Sequence, residues 1–277
     1  DIGGEKGEKL YDIFLDTKHR QYSCAYWKEN TKTLEEAQQN KINHIIKKLN
    51  IKSGQKILEV GCGWGGMAFE IARQKGCEVK GISLSKNQIN YCKKKAKELN
   101  LDNQVSFELA DYREVEGEYD RIYSVGMFEH VGKKFYNVFF KSINKLLKND
   151  GLFLLHTIGV VDKPSPPNKF INKFIFPGGV CPSLSQIVKP IEKTGLIVAD
   201  TETLIRHYDK TLLSWLNRFM AKKDLVKDMF DEKFVKMWSF YLASCAAAFR
   251  YRDLVVFQLQ IVKNFNAARP TRDYIYS

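Results

Sequence analysis

Two sets of residues in this chain have types and spacing that suit chemistry. The first is Leu58-Glu59-Val60-Gly61-Cys62-Gly63-Trp64-Gly65, an apolar run ending in an acidic residue and three alternate glycines. Glycines there let the backbone turn tightly and leave room for a ligand, and a helix opening at 66 aims its N–H groups at that ligand. A dinucleotide site would want GxGxxG and an acidic residue at the end of the next strand. Here the spacing is Gly61-x-Gly63-x-Gly65, and the next strand ends in Gly81-Ile82-Ser83-Leu84-Ser85, with no carboxylate for a ribose. The pattern points away from NAD and towards S-adenosylmethionine, against the blander reading of a purely structural strand-turn-helix. Glu59, Gly61, Cys62, Gly63, Trp64 and Gly65 are the candidate contacts. Ser83, Leu84 and Gln88 would flank the ribose, and Tyr112 and Arg113 of Asp111-Tyr112-Arg113 the adenine. Ser83, Gln88 and the Asp111 segment serve equally as helix caps.

The second set is dispersed. Glu129 follows the fourth predicted strand, His156 ends the fifth and Tyr208 follows the sixth. Three polar groups from three strand ends can converge at the carboxyl edge, where doubly wound folds bind ligands. Each has an ordinary alternative: a helix cap, a satisfied core histidine, a packing tyrosine. Cys24 reads as a loop backbone contact, since a reactive thiolate needs a cation nearby. Cys245 lies in an Ala-rich helix, where a thiol packs as a small hydrophobe. None of the six cysteines has CxxC spacing, so neither a metal site nor a disulfide framework is expected.

These groups need a scaffold that aligns strand ends. Apolar runs at 56–60, 78–82, 105–109, 119–125 and 152–156 alternate with helical periodicity at 66–75, 85–99 and 133–148, the last closed by a turn at Asn149-Asp150-Gly151. Such alternation predicts parallel βαβ units in a doubly wound α/β sheet. A helix at 183–194 and strands at 196–204 and 255–262 complete it. Ahead of the sheet, 9–20 reads as a helix, 21–27 as an aromatic loop and 33–49 as a helix with apolar positions at Leu34, Ala37, Ile42, Ile45, Ile46 and Leu49. Residues 160–182 hold Pro164, Pro166, Pro167, Pro177, Pro182 and Gly178-Gly179, a lid-like excursion. Residues 208–248 read as strongly helical. The expected organisation is one catalytic domain: a helical cap at 1–50, a cofactor-binding core at 51–160, lid and helical insertions at 161–250, and a last strand and tail at 251–277.

With 277 residues and 44% hydrophobic content the chain can bury one substantial core. Its net charge of +12 favours polyanions, either nucleic acid or an anionic membrane, unless it is simply a solvated surface. The lysines are scattered, and there is neither a zinc knuckle nor an arginine-rich arm, which disfavours nucleic acid. No apolar run reaches the roughly 18 residues of a membrane span, and no signal peptide opens the chain. The expectation is a cytoplasmic protein held peripherally on the inner face of the membrane.

Taken together, several stretches resemble the cyclopropane-fatty-acyl-phospholipid synthase family, which includes the mycolic acid cyclopropane synthases. They are Tyr22-Ser23-Cys24-Ala25-Tyr26-Trp27, Gly61-Cys62-Gly63-Trp64-Gly65-Gly66, Asp111-Tyr112-Arg113, Ser124-Val125-Gly126-Met127-Phe128-Glu129-His130-Val131-Gly132, His156-Thr157-Ile158-Gly159, Phe174-Ile175-Phe176-Pro177-Gly178-Gly179 and Cys245-Ala246-Ala247-Ala248-Phe249-Arg250. The resemblance implies a Rossmann-like seven-stranded methyltransferase sheet, with S-adenosylmethionine as co-substrate, Tyr22 and Ser23 among its contacts, and no metal. It also implies a bicarbonate base, held by Glu129, His156, Tyr208 and the backbone of Cys24 and Ile158, and it casts Cys245 as an active-site residue. The phospholipid-modifying bacterial members usually carry an N-terminal domain ahead of this region, so the chain looks like a catalytic domain alone or a short member. A homodimer is one option for its assembly.

The implied reaction sets its own demands. An isolated alkene takes the methyl of a sulfonium, a carbocation forms, and a proton leaves as the ring closes. The site must stabilise positive charge, exclude water and hold a base. Phe128, Tyr136, Phe170, Phe174, Phe176, Trp215, Phe219 and Trp238 are candidates for an acyl tunnel as a group, and ordinary core individually. Phospholipid acyl chains at an anionic membrane surface are the implied partner. Two readings compete: a coclaurine-type amine N-methyltransferase using Glu129 and His130, and a methyl-branching lipid methyltransferase.

Overall fold

The computed structural model describes residues 4–162 and 168–276, so Pro164, Pro166 and Pro167 of the expected excursion lie outside the described residues. In chain order the elements are α1 (Gly4–Phe14), α2 (Leu34–Lys48), β1 (Lys56–Val60), α3 (Gly66–Lys75), β2 (Glu78–Ser83), α4 (Lys86–Glu98), β3 (Val105–Leu109), β4 (Tyr119–Val125), α5 (Tyr136–Leu146), β5 (Leu147–Val160), α6 (Lys169–Phe174), α7 (Leu184–Glu192), β6 (Ile197–Leu204), α8 (His207–Ala221), α9 (Lys223–Met229), α10 (Glu232–Tyr251), β7 (Leu254–Val262) and α11 (Asp273–Tyr276). The strands form one seven-stranded sheet in the order β3-β2-β1-β4-β5-β7-β6. Pairing is parallel from β3 through β5, and β7 inserts antiparallel between β5 and β6. The winding reverses between β1 and β4, which opens a crevice at their carboxyl ends.

Most elements fall within about three residues of the sequence reading, the usual disagreement at element ends. Four differ for physical reasons. The first helix stops at Phe14 rather than running to 20, because the Asp16 carboxylate accepts the amides of His19, Arg20 and Gln21 at 2.6, 3.1 and 2.8 Å. Such an Asx turn competes with helix continuation. Residues 133–135 form a 3₁₀ turn before α5. Asn149-Asp150-Gly151 lies inside β5 rather than in a turn, and a register shift between Tyr119 and Arg121 absorbs it. The expected long helix at 208–248 is three helices, the last restarted by the Asp231 side chain, which accepts the Phe234 amide at 2.6 Å.

Three hydrophobic clusters hold the layers. One joins α2, α3 and α4 to the sheet, and one joins α5 and α7 to it. The third is built by α1, the 22–27 segment, α8 and α10, with Phe14, Trp215 and Phe219 fully buried. Each buried aromatic of this size contributes about 1.5–3 kcal/mol. The N-terminal segment is fastened to the sheet at both ends. Arg121 of β4 donates to Leu49 O at 2.5 Å, and His19 O lies hard against Gly66, the first residue of α3.

A β-carbon at Gly66 would sit 1.9 Å from His19 O, a backbone atom that cannot rotate away. Gly66→Ala is expected to destabilise by about 1–3 kcal/mol through overpacking, read from chemical denaturation. An unchanged midpoint would show that the 16–21 turn is not clamped against the glycine loop.

Candidate active site

The crevice is floored by the loop between β1 and α3. Gly61, Gly63 and Gly65 all have positive φ, at 88°, 52° and 77°, which glycine adopts without strain. The N–H groups of Gly61 and Cys62 donate to Ile82 O, and that of Gly65 to Cys62 O. A β-carbon at Gly61 would strike Met127 at 2.7 Å, whereas one at Gly63 would meet nothing within 4 Å. The open side of the loop is therefore at Gly63, where a ligand can lie against bare backbone.

Around that opening the predicted residues divide. Glu59 is fully enclosed beside Tyr123 and Lys41; burial pushes its carboxyl up to about 8, and Oε2 has no hydrogen-bond partner among the described residues. At the end of β2, the Ser83 hydroxyl donates to Gln88 Oε1 at 2.9 Å, and Leu84 beside it is 74% exposed. A leucine this exposed at a crevice rim is a natural lid for a bound heterocycle. Tyr112 packs edge-on against Phe139, and Arg113 forms a forked pair with Asp111 at 2.8 and 2.7 Å. The Trp64 ring packs against Tyr11 and Tyr91 and under the Arg20 guanidinium at 4.0 Å. The Cys62 thiol is buried and faces Cys92. These last two side chains support the loop, and their backbone is what it presents.

On the β4–β5 side, Glu129 sits in a 3₁₀ turn directly after the strand. Its Oε1 accepts the Ile158 amide at 2.6 Å, while its buried Oε2 has no hydrogen-bond partner among the described residues. Burial pushes the carboxyl up to about 7, opposed chiefly by that amide. Tyr208, in the first turn of α8, is buried, and its phenol is pushed well above its ordinary value by burial, with Cys24, Tyr22, Glu129 and Cys245 around it. Glu129, Tyr208, Cys24 and the Ile158 backbone are thus brought together. His156 shares a face of β5 with Ile158, two residues on. Its Nδ1 accepts from Gln258 at 3.0 Å, and burial, with Lys41, Lys48 and His44 next to it, holds the ring neutral. That leaves Nε2 carrying the proton. Among its neighbours Lys41 leads back to the Tyr22-Ser23-Cys24 segment.

The walls are aromatic. Tyr22 packs on Trp215 at 5.2 Å and on Phe176 at 6.4 Å, and shares a 2.9 Å hydroxyl bond with Tyr241. Tyr208 packs on Phe249 at 4.7 Å. Of the expected tunnel group, Phe170, Phe176, Trp215, Phe219 and Trp238 belong to this cluster. Phe128 and Tyr136 do not: they stack on each other in the α5 core, in a separate cluster. Phe174 is on the surface. Cys245 borders the pocket, but burial pushes its thiol up to about 12, and the Cys24 thiol is pushed higher than that. Neither is a thiolate at neutral pH.

Lys41 and Tyr241 escaped the sequence reading. Lys41 is fully buried, and its Nζ donates to Gln21 Oε1 and Ser23 Oγ at 2.7 Å each; burial pulls the ammonium down to about 8. It falls midway between Ala37 and Ile45 on the apolar face of α2, so a charge on a buried stripe was the available signal. Tyr241 reads as one more core aromatic of a helix. Lys41→Met should weaken S-adenosylhomocysteine binding by about tenfold or more, since two charge-assisted hydrogen bonds are lost; calorimetric titration checks it. Unchanged affinity would mean that the 21–24 segment does not need this anchor.

Comparison with known proteins identifies the family. The family model described as mycolic acid cyclopropane synthetase matches residues 5–259. The chain is 39% identical over 94% of its length to the cyclopropane-fatty-acyl-phospholipid synthase of Escherichia coli, and spans 65% of that protein. It is 34% identical over 91% of its length to cyclopropane mycolic acid synthase 1 of Mycobacterium tuberculosis, and spans 93% of it. A crystal structure of a mycolic acid cyclopropane synthase complexed with SAH and CTAB superposes with a TM-score of 0.87, at 32% identity, over 93% of this chain and 94% of the other. The fold is that of S-adenosylmethionine-dependent methyltransferases, and the chain belongs to the mycolic acid cyclopropane synthetase family.

Proposed function

We propose that this chain transfers the methyl group of S-adenosylmethionine to a cis double bond of a phospholipid acyl chain and completes a cyclopropane ring by loss of a proton. The observation that carries the reading is the Glu129 carboxyl, one oxygen bound to the Ile158 amide and the other without a partner among the described residues, beside Tyr208 of the aromatic cluster. The named activities of the relatives support it.

In this reading S-adenosylmethionine lies on the open side of the loop at Gly63. Ser83, Leu84, Gln88 and Tyr112 flank its nucleoside, and Tyr22, Ser23 and Glu59 its amino-acid end. The alkene π electrons form a bond to the methyl carbon as its bond to sulfur breaks, leaving S-adenosylhomocysteine and a carbocation. Tyr22, Tyr208, Trp215 and Phe249 would surround that charge, each ring that turns its face to it contributing about 0.5–2 kcal/mol. The same rings keep out water that would trap the cation as an alcohol. Cys24 and Cys245 stay protonated and serve as wall, since an alkene has no electrophilic centre for a thiolate.

The residues also fit a bicarbonate ion. An unpartnered Oε2 on a carboxyl that is neutral up to about pH 7 is a hydrogen-bond donor facing the pocket. Tyr208 would add a second donor, and the Nε2 proton of His156, on the same face of β5 as Ile158, would be a third if the ion reaches it. Bicarbonate bound there would supply the base for the departing methyl proton. An anion beside Glu129 favours its neutral form, so binding the ion takes up a proton once the solution is above about pH 7. The sign for stability follows the same way. A carboxyl raised above its unfolded value contributes stability that is present below about pH 4.5 and lost as pH rises through about 7.

Incubation with S-adenosylmethionine and vesicles of cis-unsaturated phospholipid should add one CH₂ per acyl chain and remove the alkene. No lipid product, with methyl transfer to a coclaurine-type amine instead, would overturn the reading. Glu129→Gln should cut turnover by about 10²-fold or more while S-adenosylhomocysteine binding stays near normal; unchanged turnover removes Glu129 from the chemistry. Half-saturation by added bicarbonate, measured in CO₂-depleted buffer, should rise between about pH 7 and about pH 9. A flat profile would contradict a proton-donating Glu129.

A further inference from the structure

We propose that the outer face formed by α6 and α10 is the surface on which the protein docks to an anionic phospholipid bilayer, with the mouth of the acyl pocket directly behind it. This rests on the lipid reading above and adds the place of contact.

The face is apolar where water should favour polar groups. Phe174 of α6 is 51% exposed and Phe240 of α10 is 57% exposed. Phe170 joins them, 5.5 Å from Phe174 and 4.9 Å from Phe240. On α10 the exposed residues Lys236, Phe240, Ala243, Ala247 and Tyr251 follow at steps of three and four, so they form one stripe along the helix. A contiguous exposed patch of this kind marks an interaction site.

Its charge selects the partner. No acidic residue occurs between Asp162 and Glu192, or between Glu232 and Asp253. Those stretches place Lys169 and Lys173 on α6 and Lys233 and Lys236 on α10, all exposed, with Lys173 lying over the Phe174 ring. Lys236 is only loosely tied to Glu232, at 3.8 Å, and Arg250 is engaged by Asp209 at 2.8 Å. Aromatic rings interleaved with four lysines, with Glu232 at the start of α10 as the carboxylate beside them, leave the face net positive and suit the boundary between anionic headgroups and acyl chains.

The position fits as well. Past Phe174 the chain turns inward within two residues: Ile175 is buried, and Phe176 packs on Tyr22 and Tyr241 in the pocket wall. The opposite face of α10 carries Trp238, Tyr241 and Leu242 into the same cluster. An acyl chain leaving the bilayer at Phe174 and Phe240 would meet Phe170 and Phe176 next, and then the pocket.

The test is co-sedimentation of the chain with phosphatidylcholine vesicles, with and without phosphatidylglycerol. Wild type should bind the anionic vesicles and release them as salt is raised. Phe174→Ser with Phe240→Ser, and separately Lys169→Glu with Lys173→Glu and Lys236→Glu, should each weaken that binding by about tenfold or more. Lys93→Glu with Lys94→Glu and Lys97→Glu, an equal charge change on α4, should stay within about twofold. Normal S-adenosylhomocysteine binding by every variant verifies its fold. The proposal is overturned if wild type does not bind anionic vesicles, if the phenylalanine pair binds as wild type does, or if the α4 variant loses as much as the α6–α10 variant. Methyl transfer plays no part in this readout. A wild type that docks through this face but leaves the acyl chain unmodified would keep the docking surface and sink the reaction.

Discussion

The hydrogen bond from the Ile158 amide to Glu129 Oε1 ties together the two strands on which the pocket depends. Glu129 leaves β4 at the crevice, and Ile158 lies on β5, its parallel neighbour. A fully enclosed carboxyl is costly unless it is neutral or well bonded. Here one oxygen is satisfied by the sheet, and burial keeps the other protonated up to about pH 7. The result is a neutral group with one oxygen still unsatisfied among the described residues, which keeps a hydrogen-bond donor available there. The rest of the site is largely aromatic, as the proposed reaction through a water-sensitive cation would require.

The N-terminal segment depends on the same economy. Residues 21–24 close the crevice without forming a strand or a helix, so α2 must supply their partners. Gln38 donates to the backbone oxygens of Gln21 and Ser23, and Lys41 to the Gln21 and Ser23 side chains. Lys41, Glu59 and His156 are all buried in one neighbourhood, and each is pushed towards its neutral form. Glu59 and His156 are neutral near pH 7, while Lys41 keeps most of its charge there and directs it at Gln21 and Ser23.

The parts legible in the sequence were those where one residue type answers one constraint. Three alternate glycines after an apolar run announced a loop whose φ values are indeed positive at all three. Strand ends placed Glu129 after β4 and Tyr208 after β6, whereas His156, expected to end the fifth strand, lies inside β5, which runs on to Val160 because β7 pairs with it along its length. Direction was not legible in the last strand: Leu254–Val262 is apolar almost throughout, and such a run gives no sign that it enters antiparallel between two others. The stop of α1 depends on one carboxylate capturing three amides, which propensity does not see. The tunnel set was too broad for a related reason. Phe128 and Tyr136 have the same composition signal as Phe176 and Trp215, and only packing assigns them to separate clusters.

The central claim is that a buried, water-free pocket carries a methyl-derived cation to ring closure by loss of a proton from the transferred methyl. The most direct measurement uses S-adenosylmethionine whose methyl group is fully deuterated, with unsaturated phospholipid vesicles, followed by mass spectrometry of the released acyl chains. Ring closure predicts that the new carbon keeps two of its three deuterons and that the double bond is gone. Retention of all three would mean that the cation is quenched from outside, giving a branched or hydroxylated chain. Absence of label from the acyl chains would place the substrate elsewhere.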